Sequence, residues 1–160
     1  MTALRIGRLD VTISGARVVL SGRLDDSVSL AGLAAQLPEG AVILDTGGVT
    51  FVNSIGIREW MRLTRALRDC GTTITLERVA DVLITQLNVF GDLARLATIA
   101  SFHAQYICPA CGAEATPLVD VQEHLPLLRA GQAPHLPCPE CGAAMDLGDF
   151  PERYLSVFKG

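Results

Sequence analysis

Four of the five cysteines stand in two copies of one short motif, CPACG at residues 108–112 and CPECG at residues 138–142. Two residues between cysteines allow both thiolates of a pair to reach one ion, and the glycine permits the tight turn that follows. Two such pairs supply four ligands, which is the number that a closed tetrahedral zinc site takes. The sequence therefore predicts a structural zinc site at Cys108, Cys111, Cys138 and Cys141.

Other assignments of the cysteines and histidines remain open. The motif is also similar to rubredoxin knuckles, in which iron would transfer one electron, whereas disulfides suit a cytoplasmic protein poorly. Zinc is favoured because closed four-thiolate sites most often serve structure. Cys70 is expected to be a buried small hydrophobe at a helix end. His103, His124 and His135 are not needed as ligands and are expected to be structural or exposed.

The elements around the cysteines predict a small C-terminal unit. We expect two domains, residues 1–102 and residues 103–160, joined rigidly because no Pro-, Gly- or Ser-rich linker separates them. The long spacing between the motifs implies an inserted hairpin or helix, and residues 119–128 are expected to supply a short helix. Residues 151–158 predict another short helix, since proline suits a first turn. A unit this small gains folding free energy from zinc, on the order of 10 kcal/mol.

Charge and hydropathy exclude several classes of protein. The net charge is -4, and residues 103–160 carry the whole imbalance with three basic and seven acidic residues. Nucleic-acid binding is disfavoured because it needs a basic patch. No apolar run approaches the ~20 residues of a membrane helix, and the N-terminus has no secretory signal. We therefore expect a cytoplasmic protein with no membrane partner.

The N-terminal part alternates strand and helix patterns. Residues 4–21 predict a β-hairpin, and residues 28–37 predict a short helix that stops before a proline. Residues 42–44 predict a buried strand, and the paired glycines of residues 45–48 predict a turn after it. Residues 72–77 and 96–107 predict further strands, with a helix over residues 80–90 between them.

The most regular pattern follows Asn53 and Ser54, both good helix N-caps. Apolar residues and one threonine recur at helical spacing and predict a buried face: Ile57, Trp60, Met61, Thr64 and Leu67. Charged residues predict the opposite, solvated face: Arg58, Arg62, Arg65 and Asp69. A strand thus leads through a loop to an amphipathic helix whose positive end carries Asn53.

Residues 4–100 resemble a STAS domain, the family named after sulfate transporters and anti-sigma-factor antagonists. The resemblance rests on the element order and on the runs GRLDD, VILDTGGVTFVNSIGI and TITLERVADVLITQL. It implies an α/β fold, a STAS-like mixed sheet with helices packed on it, to which the zinc-ribbon unit is added. It also implies a non-catalytic module that binds ATPase-fold kinases or other regulators through the loop and helix after the central strand.

The family's switch motif is altered in this chain. The usual Asp-Ser-Ser-Gly or Asp-Thr-Ser-Gly becomes Asn53-Ser54-Ile55-Gly56, so that the phosphoacceptor position has no hydroxyl. We therefore predict binding without the usual phosphorylation switch. Ser54 keeps a hydroxyl at the non-acceptor position, and a helix cap is the alternative role for it. The predicted partner surface comprises Thr46, Asn53, Ser54, Ile55, Gly56, Arg58 and Arg62.

These patterns predict a non-enzymatic regulator that binds a partner protein. The partner would be a kinase-like or anti-sigma-like regulator, a scaffold, or a second copy of the chain. An iron electron-transfer unit and a nucleic-acid-binding zinc ribbon are the alternatives. No catalytic triad, phosphate loop or acid-base pair stands out, and a closed four-cysteine site leaves no open coordination position.

Overall fold

Six strands form a mixed sheet in which each strand pairs with its neighbours along the chain. The computed structural model describes residues 1–159. The strands are β1 (Thr2–Ile6), β2 (Leu9–Ser14), β3 (Arg17–Leu24), β4 (Ala41–Val52), β5 (Thr73–Glu77) and β6 (Thr98–Ile99). The first three are antiparallel, whereas β3 to β6 pair in parallel. The mixed α/β class predicted from the sequence is confirmed.

Helix α1 (Ser54–Asp69) connects the parallel strands β4 and β5 and begins where its cap predicts. The Asn53 side-chain oxygen accepts a hydrogen bond from the Gly56 amide at 2.9 Å. The helix buries the face that its periodicity predicts, with Leu63 added and Met61 only half-buried. Its arginines lie on the exposed side, as predicted. Because Trp60 is 1% exposed, this helix supplies the largest single side chain of the core.

The predicted hairpin of residues 4–21 is instead a meander of three strands. The chain already turns at Gly7, which has a φ of +58°. A side chain at Gly7 could not be accommodated, because its Cβ would lie 2.0 Å from the Ser27 carbonyl oxygen. The Arg8 amide donates to the Ser27 hydroxyl at 3.0 Å and holds this turn against the following loop.

The helix predicted for residues 28–37 is wrong. This segment is irregular and contains only a 3-10 turn at Ala34–Gln36. Its apolar side chains are nevertheless buried as a helical face would be: Val28, Leu30, Leu33 and Leu37. The Leu30 amide donates to the Glu59 carboxylate of α1 at 3.0 Å, so a tertiary hydrogen bond takes the place of a helical one.

The turn predicted for residues 45–48 is also wrong, because these residues lie inside β4, a continuous strand of 12 residues. The pairing with β3 shifts between Val19 opposite Asp45 and Ser21 opposite Gly48, which is a β-bulge on β4. A Cβ at Gly48 would lie 2.5 Å from that of Ser21. The glycines thus permit a close strand contact and a bulge where the sequence indicated a chain reversal.

After β5, helix α2 (Asp81–Val89) confirms the helix predicted for residues 80–90, and a short helix α3 (Gly91–Ala94) follows. The single strand predicted for residues 96–107 is wrong. It is divided into β6, β7 (Ser101–His103) and β8 (Tyr106–Ile107), which belong to three different sheets. The chain changes pairing partner at Ala100, whose amide donates to Leu76 while its carbonyl accepts from Val121.

Short elements surround the two cysteine motifs. They are β9 (Glu114–Ala115), β10 (Leu118–Asp120), α4 (Leu125–Arg129), β11 (Leu136–Pro137), β12 (Ala144–Leu147) and α5 (Glu152–Leu155). β10 pairs with β7, and β11, β12, β8 and β9 form a four-stranded sheet in that order. The helix predicted for residues 119–128 is shorter and begins later, because the first of these residues form β10.

The C-terminal segment packs back onto the main sheet's helices. The helix predicted for residues 151–158 is present as α5 followed by a 3-10 turn at Ser156–Phe158. The Phe158 ring stacks on Phe102 with 5.3 Å between centroids. The Val157 amide donates to the Asn88 side chain of α2 at 3.0 Å. One cluster of buried apolar side chains therefore extends from the main sheet into the C-terminal part.

Candidate functional site

The four predicted ligands lie together. All four sulfur atoms lie within 4.8 Å of one another. The Sγ atoms of Cys108 and Cys141 are 3.6 Å apart, and those of Cys111 and Cys138 are 3.7 Å apart. A tetrahedral ion bound to sulfur at about 2.3 Å requires sulfurs about 3.8 Å apart, whereas a disulfide requires about 2.0 Å. The cluster therefore has the geometry of a four-thiolate metal site and not of disulfides.

The two motifs form equivalent turns. The Gly112 amide donates to the Cys108 carbonyl at 2.8 Å, and the Gly142 amide donates to the Cys138 carbonyl at 2.9 Å. These glycines have φ angles of +76° and +77°, a conformation that disfavours other residues. Each turn thus presents its two cysteines in the same way. Each copy of the motif supplies two of the four sulfur ligands of a tetrahedral site.

Each turn is held between two strands of the four-stranded sheet. β8 leads into the first turn and β9 leaves it, whereas β11 leads into the second and β12 leaves it. The pairing of β8 with β12 brings the two turns together. Tyr106 anchors this sheet, because its buried hydroxyl donates to the Pro134 carbonyl at 2.8 Å. Burial raises the pKa of Tyr106 to about 12, which keeps the donor proton in place.

The protonation of the sulfurs is uneven. Hydrogen bonds from backbone amides, first that of Cys111, lower the pKa of Cys108 to about 7. For Cys111 the Ala113 amide acts in the same direction, but burial and the neighbouring sulfurs raise the pKa to about 12. Four thiolates this close repel one another, and a bound cation would favour the charged form of all of them. The donor set therefore fits a cation that prefers sulfur.

The remaining cysteine and the histidines do not join the cluster. The prediction of a buried Cys70 is wrong, because Cys70 caps the C-terminus of α1 and is exposed. The ring nitrogen Nδ1 of His103 lies 3.0 Å from the Thr116 carbonyl. The same nitrogen of His135 lies 3.0 Å from the Asp146 carboxylate. Both contacts serve the local structure. His124 lies 3.9 Å from Glu123.

The predicted partner surface is partly accessible. Ser54 and Ile55 are exposed at the first turn of α1, Asn53 is half-buried, and Arg58 is exposed. Arg62 is exposed as well, although its guanidinium donates to the largely buried Glu59 carboxylate at 2.6 Å. Arg58 forms no ion pair with any residue in the described range of 1–159. The accessible part therefore combines an apolar side chain, a hydroxyl and a free positive charge.

Two residues assigned to this surface face inward. Thr46 lies in β4 and has no exposed area. It therefore cannot contact a partner at this surface, which corrects the prediction. Its hydroxyl lacks a hydrogen-bond partner among the described residues. Gly56 is also buried, and a Cβ there would lie 1.8 Å from the Leu24 carbonyl oxygen at the end of β3. Gly56 therefore allows α1 to approach β3 closely and does not face a partner.

The structure also shows a buried carboxylate held between two half-exposed arginines, which the sequence pattern did not predict. Asp45 is 3% exposed and accepts hydrogen bonds from Arg17 at 2.8 Å and from Arg78 at 3.0 Å. Burial alone would raise the pKa of Asp45, but Arg78, the Gly47 amide and Arg17 together lower it below its ordinary value. The signal available in the sequence was one acidic residue inside an apolar strand pattern.

A second buried carboxylate lies next to the start of α1. Asp25 accepts hydrogen bonds from Ser27, from Arg8 at 2.8 Å and from Arg23 at 3.0 Å. These contacts, first that of Ser27, keep the pKa of Asp25 well below its ordinary value. This loop packs beside Gly56, since the Asp25 amide would be 3.0 Å from a Cβ there. Asp25 therefore braces the loop against which the first turn of α1 rests.

The fold and the site define a mixed α/β protein with a C-terminal cluster of four cysteines that could hold a metal ion. Comparison with known protein families gave no match, and comparison with curated proteins gave none either. Among residues 1–159, no helix combines the length and the apolar character required to cross a membrane.

Proposed function

We propose that the chain is a non-enzymatic regulatory interaction module of the STAS type, braced by structural zinc. The observation that carries the proposal is the junction of β4 and α1. The central strand ends at Val52, the Asn53 cap follows, and Ser54 and Ile55 are exposed at the first turn of the helix. This is the loop and helix through which members of the family that the sequence resembles bind their partners.

The position of this surface on rigid elements supports a binding role. β4 pairs in parallel with both β3 and β5, and α1 packs its apolar face against the core. The close approach of Gly56 to Leu24 ties the first turn of α1 to the end of β3. A partner would therefore meet a preorganised surface and would pay little conformational entropy to order it.

The identity of the switch residues favours constitutive binding. Asn53 uses its side-chain oxygen to cap the helix, and Ile55 offers no acceptor for phosphate. Asp is as good a cap as Asn, so Asn53→Asp would keep the helix start and add one negative charge. We propose that binding is controlled by the amount of partner and not by phosphorylation of this motif.

The four cysteines would hold zinc as a structural ion. Cys108 and Cys138 are almost fully buried, whereas Cys111 and Cys141 reach the surface. The strands that frame the site have only two to four residues and could not hold the turns alone. We therefore treat residues 1–102 as the interaction domain and residues 103–160 as the zinc unit. Free thiolates that bind a metal suit the reducing cytoplasm, where we place the protein.

The interaction is tested by affinity capture of the metal-loaded chain from its native lysate with quantitative mass spectrometry. We expect one regulatory protein, kinase-like or anti-sigma-like, to be recovered by the unmodified chain. Ile55→Glu and Arg58→Glu should each reduce that recovery at least fivefold. Arg68→Glu is the matched control, because Arg68 lies at the opposite end of the same helix. Equal recovery with all three variants would refute the proposed surface.

The metal is tested by elemental analysis and by the visible spectrum of the protein as isolated. We expect one zinc per chain and no visible absorption, because zinc has a filled d shell. A red protein with one iron per chain would overturn the zinc assignment and favour one-electron transfer at the same four sulfurs.

A further inference from the structure

A cleft of about 480 Å³ lies between the main sheet and the C-terminal part of the chain. One wall contains the edge strand β6 and the loop after α3. The opposite walls contain α4 and the 3-10 turn at Ser156–Phe158. Three separate parts of the chain thus meet around one cavity whose volume suits a small molecule.

Positive charge converges on this cleft from all three parts. Arg95, Arg129 and Lys159 line it, and no Asp or Glu among residues 1–159 does so. This is unexpected on composition, because residues 103–160 contain seven acidic and only three basic residues. Two of those three basic residues, Arg129 and Lys159, lie at the cleft. The cavity is therefore a local positive site on a protein of net charge -4.

These charges are not neutralised by other residues within the described range of 1–159. Arg129 and Lys159 form no ion pair with any residue of the described chain, 1–159. Arg95 lies 3.9 Å from Asp92, and both side chains are more than four-fifths exposed, so this contact is weak. Arg153, the third basic residue of the C-terminal unit, instead donates to Asp149 at 2.7 Å and lies outside the cleft. Positive groups that lie together without a counterion repel one another. An anionic ligand bound between them would relieve this repulsion.

The cleft also has an apolar floor. Ile99 and Val121 are at most 8% exposed, and the ring of Phe158 is held there by its stack on Phe102. An apolar surface beside the positive groups lowers the local dielectric constant and strengthens their attraction for an anion. A single chloride would leave most of this cavity unfilled.

We propose that the cleft binds a small multivalent oxyanion, held by Arg95, Arg129 and Lys159 over the apolar floor. Guanidinium groups match the paired oxygens of phosphate and of carboxylate, so both are sources of this chemistry. The site is separate from the four sulfurs and from the surface at Ser54 and Ile55. It does not depend on the proposed interaction function.

The test is isothermal titration calorimetry of the metal-loaded full chain at low ionic strength, with pyrophosphate and citrate as separate probes. We expect at least one probe to bind with a Kd below about 1 mM and more weakly as salt is added. Binding of pyrophosphate alone identifies a phosphorylated ligand, and binding of citrate alone identifies a polycarboxylate. Arg129→Gln should weaken binding about tenfold, as expected for the loss of one charge-assisted contact.

The control is Arg68→Gln, which removes one positive charge on α1 away from the cleft and should leave the Kd unchanged within twofold. Circular dichroism and metal content show whether each variant is folded and loaded. If Arg129→Gln loses its structure, Lys159→Gln replaces it, because Lys159 is exposed on the last described turn. The proposal is overturned if neither probe binds up to 10 mM, about tenfold above the expected limit. Equal weakening by the control variant would also overturn it.

Discussion

Substitution of Gly56 by alanine tests the packing that holds the proposed partner surface. A Cβ at this position would lie 1.8 Å from the Leu24 carbonyl oxygen and 2.2 Å from its carbon. Both are backbone atoms, so no side-chain rotation can relieve the contact. The start of α1 and the end of β3 would have to separate by more than about 1 Å to restore normal packing.

The size of the effect follows from two opposed contributions. Overpacking costs roughly 1–3 kcal/mol, and the upper value applies because the clash is with backbone. Alanine recovers up to about 1 kcal/mol of helix propensity relative to glycine, and the amide that Asn53 caps is retained. The free energy of unfolding should therefore fall by about 2 kcal/mol. For a chain of 160 residues this corresponds to a Tm lower by about 4–8 °C.

The assay is urea unfolding of the metal-loaded protein followed by circular dichroism, with thermal melting as the second measurement. Gly91→Ala is the matched control, because nothing lies within 4 Å of a Cβ there and Gly91 begins α3. We expect that variant to be neutral or slightly stabilised. If Gly56→Ala were within 0.5 kcal/mol of the unmodified chain, the close contact of α1 with β3 would not constrain this surface.

Three further variants test other parts of the structure. Cys111→Ser should lower zinc content below one per chain and cost about 3 kcal/mol or more in stability, measured by elemental analysis and urea unfolding; full zinc retention would contradict the site. Asp45→Asn should cost about 2 kcal/mol, because Arg17 and Arg78 lose a charged acceptor but stay half-exposed, and Arg17 keeps its pair with Glu77. Because the folded pKa of Asp45 is lowered, its contribution is complete above the ordinary value of 3.8 and is lost as pH falls below it. The free energy of unfolding should therefore decrease less between pH 7 and pH 3 for that variant than for the unmodified chain. An equal decrease for the two proteins would contradict this. Phe158→Ala should remove the stack on Phe102 and cost about 2 kcal/mol, with faster proteolysis after the four-stranded sheet; unchanged proteolysis would count against this docking.

The four-cysteine cluster was predictable from the sequence because its geometry is local. Each CPxCG turn is built by five consecutive residues and held by its own amide hydrogen bonds. Only the meeting of the two turns depends on distant pairing, that of β8 with β12. The start of α1 was predictable for the same reason, since Asn53 and Gly56 are three residues apart.

The errors occur where tertiary contacts override a local pattern. Residues 28–37 have helical spacing of their leucines, yet the Leu30 amide is bonded to Glu59 on another element. The glycines of residues 45–48 indicated a turn, but Gly48 is required by the close approach of Ser21 on β3, and Gly47 lies against Arg78. The apolar side chains of residues 28–37 are nevertheless buried, because burial depends on hydropathy more than on backbone shape.

The two parts of the chain depend on different sources of stability. The main sheet has strands of up to 12 residues and a core that includes Trp60, so hydrophobic burial is sufficient to hold it. The cysteine turns rest on strands of two to four residues, and we propose that bound zinc supplies the free energy that such short strands lack. Phe158 and Val157 attach the segment after the turns to Phe102 and α2 without involving a sulfur ligand. If the ion of the proposed zinc site is lost, we expect the turns to loosen first and the exposed start of α1 to stay in place. The proposed ion would therefore brace the C-terminal unit and would not itself shape the proposed partner surface.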